Sequence, residues 1–285
     1  MDCPHCASRN TFERSVKTKQ SYRCYHCRNC LKFFNERTAS PFNRLRFTTD
    51  LIFEVVLWRL RYKLSFRDLA EIFLTRGFVF THEAVREWEE KFAPLLAEEL
   101  KAERKGKATK RWRADETMLK IKGEYYYLYR SIDSEGKLVD VKLSKVRDLE
   151  TTEEFFKQAV ETVGHKPEQV TTDKEVTYPK AINKILGRKV EHRTNRYLNN
   201  KMEMSHRGIK GRSKPMLGFK SPESAARFCR AFEEQREHFR FRHHHNHQVS
   251  LPLQRVHILG KFEELKAKFK SRKLIWKQST LSLQL

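Results

Sequence analysis

The chain has 285 residues, enough for one large domain or a main domain with smaller appendages. Its 59 lysines and arginines against 36 aspartates and glutamates leave a formal charge of +23. That balance points to a polyanionic partner, nucleic acid before membrane surface, because each phosphate neutralised releases counterions. The basic residues are spread along the chain rather than gathered on one amphipathic helix, and 20 Phe, 9 Tyr and 4 Trp set it apart from short, aromatic-poor ribosomal or histone-like proteins. No apolar run is long enough for a transmembrane helix, and the N-terminus MDCPHCASRN lacks the layout of a signal peptide. A cytoplasmic location with reduced cysteines is therefore expected.

Residues 1–40 hold five of the six cysteines. Cys3 and Cys6 form one C-x-x-C pair, and CYHCRNC offers Cys24, Cys27 and Cys30. Two such knuckles bring four thiolates to one structural zinc ion, and a segment this short has little core without a metal. Cys27 with Cys30 is the preferred second pair, because Phe34 then follows the last ligand by four residues, as zinc ribbons often have it. Cys24 with Cys27 stays open as the alternative.

Residues 41–100 read as helical. FTTDLIFEVVLWRLRYKL carries an apolar stripe at Leu51, Val55, Trp58 and Tyr62, with Thr49 or Asp50 as cap. SFRDLAEIF follows with Ser65 as N-cap, then a turn containing Gly77, then THEAVREWEEKF capped by Thr81. This is the layout of a helix-turn-helix whose second helix offers His82, Glu83 and Arg86 to DNA. A helical hairpin with no DNA role has the same layout. Residues 101–111 read as a basic linker, within a stretch whose Lys110, Arg111 and Arg113 are expected near phosphate, or else as a solvated tether.

Residues 112–240 form the largest unit. WRADETMLKIKG and YYYLYRSID are two strands with Gly123 in the turn between them, and KLVDVKLS is a third. A helix (DLETTEEFFKQAVETV), a short strand ending at Asp173, a helix, a short strand (KVEHR) and two more helices complete an α/β pattern. The last helix has Ser221 as cap and Pro222 at its first position. Residues 241–285 read as a basic tail without a clear core.

Three carboxylates stand out in this unit. Asp115 lies mid-strand, where burial is costly unless the group is paired or holds a cation. Asp173 ends a strand, where α/β folds usually hold ligands. Glu203 lies in the basic helix RYLNNKMEMSHRGIKGR, with His206 and Arg207 three and four residues on, at spacings that share one helical face. Converging oxygen ligands of this kind suit Mg²⁺, and two such ions about 4 Å apart activate a nucleophile and stabilise a leaving 3′-oxygen.

Five segments occur in order: WRADETMLKIKGEYYYLYRSID, LSKVRDLETTEEFF, VTTDKEVTYPKAI, HRTNRYLNNKMEMSHRGIKGR and MLGFKSPESAARF. Together they resemble the DDE-type transposases of bacterial and archaeal insertion sequences, most nearly the cointegrate-forming group called the IS-six family. The resemblance covers about residues 45–235. It implies a ribonuclease-H-like catalytic core behind a helix-turn-helix, with an N-terminal zinc finger as in some members. It also implies that Asp115, Asp173 and Glu203 are the catalytic ligands of Mg²⁺ or Mn²⁺, and that Arg207, Lys210 and Arg212 hold the DNA backbone beside them. Two departures are visible. Ser205 stands where family members often have Asp, and the stretch from Asp173 to Glu203 is a few residues shorter than expected. The expected activity is recognition of terminal inverted repeats in double-stranded DNA, metal-dependent 3′-end cleavage and strand transfer to target DNA. A homodimer or larger assembly in a prokaryotic, nucleoid-associated setting is expected with it. The competing readings are a catalytically silent DNA-binding regulator derived from a transposase, and a structure-specific nuclease on the same core.

Overall fold

The structure, a computed structural model, describes residues 1–173, 175–194, 200–213, 215–241 and 249–270, and the side chains of residues 200, 201 and 203–205 lie outside this description. Its contacts divide into two units, Met1–Glu54 with Phe262–Leu285, and Val55–Lys261. No helix among the described residues is long and apolar enough to cross a membrane.

The first unit opens with a three-stranded antiparallel sheet, β1 (Thr11–Lys17), β2 (Arg23–Cys27) and β3 (Phe33–Asn35). Alternation divides β2 between two faces. Tyr25 and Cys27 turn inward with Cys3 and Phe34, and Tyr25 stacks on Phe34 at 5.4 Å. Cys24 and His26 share the outer face. Helix α1 (Thr49–Arg61) follows, capped one residue earlier than expected: Thr48 Oγ1 accepts the Leu51 N–H at 3.4 Å. The expected four-residue stripe is too narrow. Ile52, Phe53, Val56, Leu57 and Leu60 are buried as well as Leu51 and Val55, whereas Tyr62 is exposed. The C-terminal stretch expected to lack a core contains a helix, α8 (Leu251–Lys270). Within the first unit its Phe269 packs on Phe42 and Phe53, at 4.9 and 5.0 Å, and Leu265 is fully buried.

The second unit contains helices α2 (Phe66–Leu74) and α3 (His82–Glu103). Both start as their sequences dictate. Ser65 and Asp68 form a reciprocal capping box, and Thr81 Oγ1 accepts the Ala84 N–H at 3.2 Å. The stretch expected to be a linker is not a free tether. α3 runs through Lys101–Glu103, and Arg104 makes a bidentate pair with buried Glu234 at 2.6 Å while donating to the Leu138 and Val139 carbonyls.

A five-stranded sheet follows, in the order β6 (Leu138–Ser144), β5 (Glu124–Asp133), β4 (Arg111–Ile121), β7 (Gln169–Thr172), β8 (Glu191–Thr194). β4, β5 and β6 are antiparallel neighbours, while β7 and β8 run parallel to β4. This is the ribonuclease-H-like order. The β4–β5 hairpin turns on Lys122 and Gly123, both at positive φ (49° and 90°), the pattern that a two-residue turn needs to match strand twist. Helix α4 (Leu149–Val163) covers one face, where Trp112, Tyr129, Phe155, Phe156 and Tyr178 form the core. Tyr178 belongs to α5 (Thr177–Ala181), which continues as a π-helical turn to Leu186. Helices α6 (Asn200–Ser213) and α7 (Pro222–His238) complete the unit. α7 is capped by Ser221 and keeps Cys229 fully buried as a small hydrophobe, its thiol pushed up by burial. Its Glu233 reaches Arg130 on β5 at 2.9 Å, deep in the unit.

Candidate active site

β4 and β7 pair in parallel with Arg113 opposite Thr171. Two residues on, Asp115 within β4 and Asp173 just past the end of β7 continue that register. Side chains alternate across a strand, which puts Arg111, Arg113 and Asp115 on the face away from the α4 core. Asp115 meets His206 of α6 there, Nε2 to Oδ2 at 3.4 Å. Asp173 accepts the Glu175 backbone N–H at 3.1 Å. Among the described residues no lysine or arginine forms an ion pair with either aspartate, although the chain is strongly basic. Arg130, directly across from Asp115 on β5, sends its guanidinium to Glu233. Two carboxylates without a neutralising lysine or arginine are suited to oxygen ligation of a divalent ion.

Glu203 lies on α6, three residues before His206. Its side chain is outside the described residues. His206 and Arg207, expected on one face, part company: His206 is buried against Asp115, and Arg207 is exposed. Lys210 is exposed too. Arg212 donates to the Arg61 carbonyl at 2.5 Å and lies over the Phe232 ring at 4.5 Å, so its guanidinium is engaged within the protein.

A second carboxylate on β4 escaped the sequence reading. Glu116 points to the opposite face, where the Tyr178 hydroxyl donates to it at 2.5 Å and Arg147 pairs with it. Arg147 also reaches Glu175 at 2.7 Å, and Glu175 is the residue whose N–H holds Asp173. A chain of polar contacts thus ties β4 to the Asp173 loop from behind. Burial pushes the Glu116 carboxyl up, against the pull of Tyr178 and Arg147. The only sequence signal for this group was acidic Glu116 beside Asp115 on a strand, which by alternation had to face elsewhere.

The other basic candidates divide. Arg111 is exposed, and Arg113 is half-buried with a guanidinium nitrogen that has no partner among the described residues. Lys110 is paired with Glu168 at 2.8 Å. At the start of α3, Arg86 is held by Glu83 at 2.7 Å, and His82 lies 3.4 Å from the same carboxylate.

In the N-terminal sheet, the sulfurs of Cys3, Cys6, Cys27 and Cys30 all lie within 4.8 Å of one another, with Cys3–Cys30 and Cys6–Cys27 at 3.6 Å. Tetrahedral zinc at a Zn–S distance of about 2.3 Å needs sulfurs about 3.8 Å apart, so the four fit one ion. The two knuckles share one backbone pattern. Cys3 N–H bonds the Ser8 carbonyl and Cys27 N–H the Lys32 carbonyl, and each knuckle ends on a positive-φ residue, Ala7 or Leu31. The Cys27 thiol is pulled down to about 6, first by the backbone N–H of Cys30. Cys24 is outside this group because β2 turns it to the other face.

A ribonuclease-H-like sheet with one aspartate inside its central strand β4 and a second just past the end of the neighbouring β7 is the arrangement of a DDE enzyme core. Residues 109–244 match the DDE domain family. The chain is 41% identical over 175 residues to the transposase for insertion sequence-like element IS431mec of Staphylococcus aureus (strain N315), covering 60% of this chain and 77% of that one. Identity and coverage are the same for the Staphylococcus aureus transposase for insertion sequence element IS257 in transposon Tn4003. The magnesium-bound integrase catalytic core domain of HTLV-2 aligns at 22% identity with a TM-score of 0.30, over 36% of this chain and 69% of that one. The chain belongs to the DDE transposases of insertion sequences, in the IS-six family, and is a nucleic-acid-cleaving and strand-transferring enzyme.

Proposed function

We propose that Asp115, Asp173 and Glu203 together hold divalent metal, Mg²⁺ or Mn²⁺, against the ends of an insertion sequence. The observation that carries this is the pair Asp115 and Asp173, which no lysine or arginine neutralises among the described residues of a chain of charge +23. Glu203 precedes His206 by one helical turn on α6, and His206 touches Asp115. Bound there, the metal supplies positive charge to the scissile phosphate and to the attacking and leaving oxygens.

The protein's own groups position the DNA. Arg113, on the Asp115 face, and exposed Arg111, Arg207 and Lys210 hold backbone phosphates. In the first step a water oxygen forms a bond to phosphorus at the element end, and the bond to the 3′-oxygen breaks, leaving a 3′-OH and a 5′-phosphate. In the second step that 3′-OH attacks a target phosphodiester and releases the target's own 3′-OH. No covalent link to protein is needed. Two ends must meet, so the working form is a homodimer or larger. Zinc held by Cys3, Cys6, Cys27 and Cys30 shapes the N-terminal ribbon, and α2 with α3 forms the helix-turn-helix that reads the terminal inverted repeats in double-stranded DNA. Of its contact residues, His82 and Arg86 must leave Glu83 to reach DNA.

The test is to incubate the full-length protein with duplex DNA carrying the gene's own flanking ends, a target plasmid and Mg²⁺ or Mn²⁺. Metal-dependent 3′-end nicking and joining by the wild type, with binding but no reaction by Glu203→Gln, is the expected result. Equal binding with no reaction by either protein contradicts it.

A further inference from the structure

We propose that the outer face of the β1–β2–β3 sheet is a stacking site for unpaired bases of single-stranded DNA. Register puts three rings in one row across the strands, Phe12 opposite His26 and His26 opposite Phe33. The ring centroids are 5.3 and 4.5 Å apart. Both ends of the row carry a guanidinium: Arg28 lies over Phe12 at 5.2 Å, and Arg14 over Phe33 at 4.8 Å. The row is open to solvent, with Phe12 42% and Phe33 62% exposed.

A single exposed aromatic on a protein surface is ordinary. A contiguous row is not explained by folding, because the inner face of the same sheet already holds the ribbon's core, Cys3, Tyr25, Cys27 and Phe34. Nor does the row suit an apolar protein partner, since it is flanked by charge. Residues 1–40 carry three carboxylates, Asp2, Glu13 and Glu36, against eight lysines and arginines. Glu13 and Glu36 both engage Arg23, whose side chain alternation turns away from the row. Aromatic rings in a sheet flanked by arginines match the way single strands are held. Bases stack on ring faces whatever their identity, and the cations track the phosphates. Paired bases in a duplex have no free faces to offer, which favours a single strand. The inference rests on the reading that this transposase works at cut DNA ends, where a strand end can part from its complement.

The test uses the full-length, zinc-loaded protein and fluorescence anisotropy with a fluorescein-labelled oligothymidylate of about 12 nucleotides. Phe12→Ala and Phe33→Ala are each expected to weaken binding about tenfold, with Phe33→Trp restoring it. An abasic strand of equal length should bind the wild type as weakly as Phe33→Ala binds the oligothymidylate. Affinity for the duplex terminal repeat, zinc content and end joining on blunt ends should stay within about twofold, since the substituted rings are exposed. Equal binding of wild type and variants, equal binding of the abasic strand, tighter binding of the matching RNA, or parallel loss on duplex would each overturn the proposal. Failure of all end joining by the wild type would instead count against the transposition chemistry, so the two failures are told apart.

Discussion

Asp115 and Glu116 are consecutive carboxylates on one strand, and the pleat of β4 puts them in opposite surroundings. Glu116 is enclosed on the α4 side and satisfied by Tyr178 and Arg147. Asp115 sits on the other side and meets only His206 among the described residues. A buried acid normally has its charge answered by the protein. Glu116 obeys that rule, while Asp115 has no lysine or arginine partner among the described residues, which is why the proposed metal site is placed on its side of β4. Arg147 has a place on the Glu116 side: it pairs with Glu116 and, through Glu175, contacts the loop that carries Asp173.

The largest effect expected from this contrast is on chemistry. Asp115→Asn or Asp173→Asn should reduce end joining at least about a thousandfold, since each removes a ligand from ions that stabilise the transition state by several kcal/mol. Urea midpoints should stay close to wild type, because among the described residues neither aspartate pairs with a lysine or arginine that would be orphaned. Arg147→Met should behave the other way round. Glu116 loses its cation, and unfolding titrations should register a loss of about 1–3 kcal/mol. Activity should fall by less than with Asp115→Asn. Tyr178→Phe removes one donor to Glu116 and should lower stability by about 1 kcal/mol in the same titration.

Asp148 gives the smallest effect and a pH signature. It caps α4, with Oδ1 accepting the Thr151 N–H at 2.8 Å, and that backbone contact holds its carboxyl below the ordinary 3.8. A depressed folded value means that the ionised cap stabilises above the unfolded value and that this stabilisation is lost as pH falls through the folded one. Asp148→Ala should therefore lower stability by about 1 kcal/mol at neutral pH, and the difference from wild type should shrink in strongly acid solution. Urea melts at both pH values check it.

The parts of this molecule that were legible in its sequence were those set by local rules. The C-x-x-C pairs specify their cluster through short knuckles, and Ser65, Thr81 and Ser221 mark helix starts because the capping bond spans three residues. Asp115 and Asp173 could be singled out locally, one as a carboxylate inside a strand and the other as one at a strand end, and the β4–β7 register continues to both. What escaped depends on distant contacts. Nothing near Arg104 announces Glu234, and nothing near Arg212 announces that it turns onto Phe232 and the Arg61 carbonyl instead of reaching outward. The α8 helix was missed because its buried residues, Leu265 and Phe269, are few and its remaining faces are basic or exposed. Glu116 was overlooked because its role needs Tyr178 and Arg147 from two other elements.

The central question is which face of β4 takes metal. Mn²⁺ binding followed by electron paramagnetic resonance, on full-length protein bound to end DNA, decides this without relying on catalysis. Wild type and Glu116→Gln should bind Mn²⁺ alike, and Asp115→Asn should lose that binding while still holding DNA. Retention of Mn²⁺ by Asp115→Asn, or an equal loss in Glu116→Gln, would contradict the assignment.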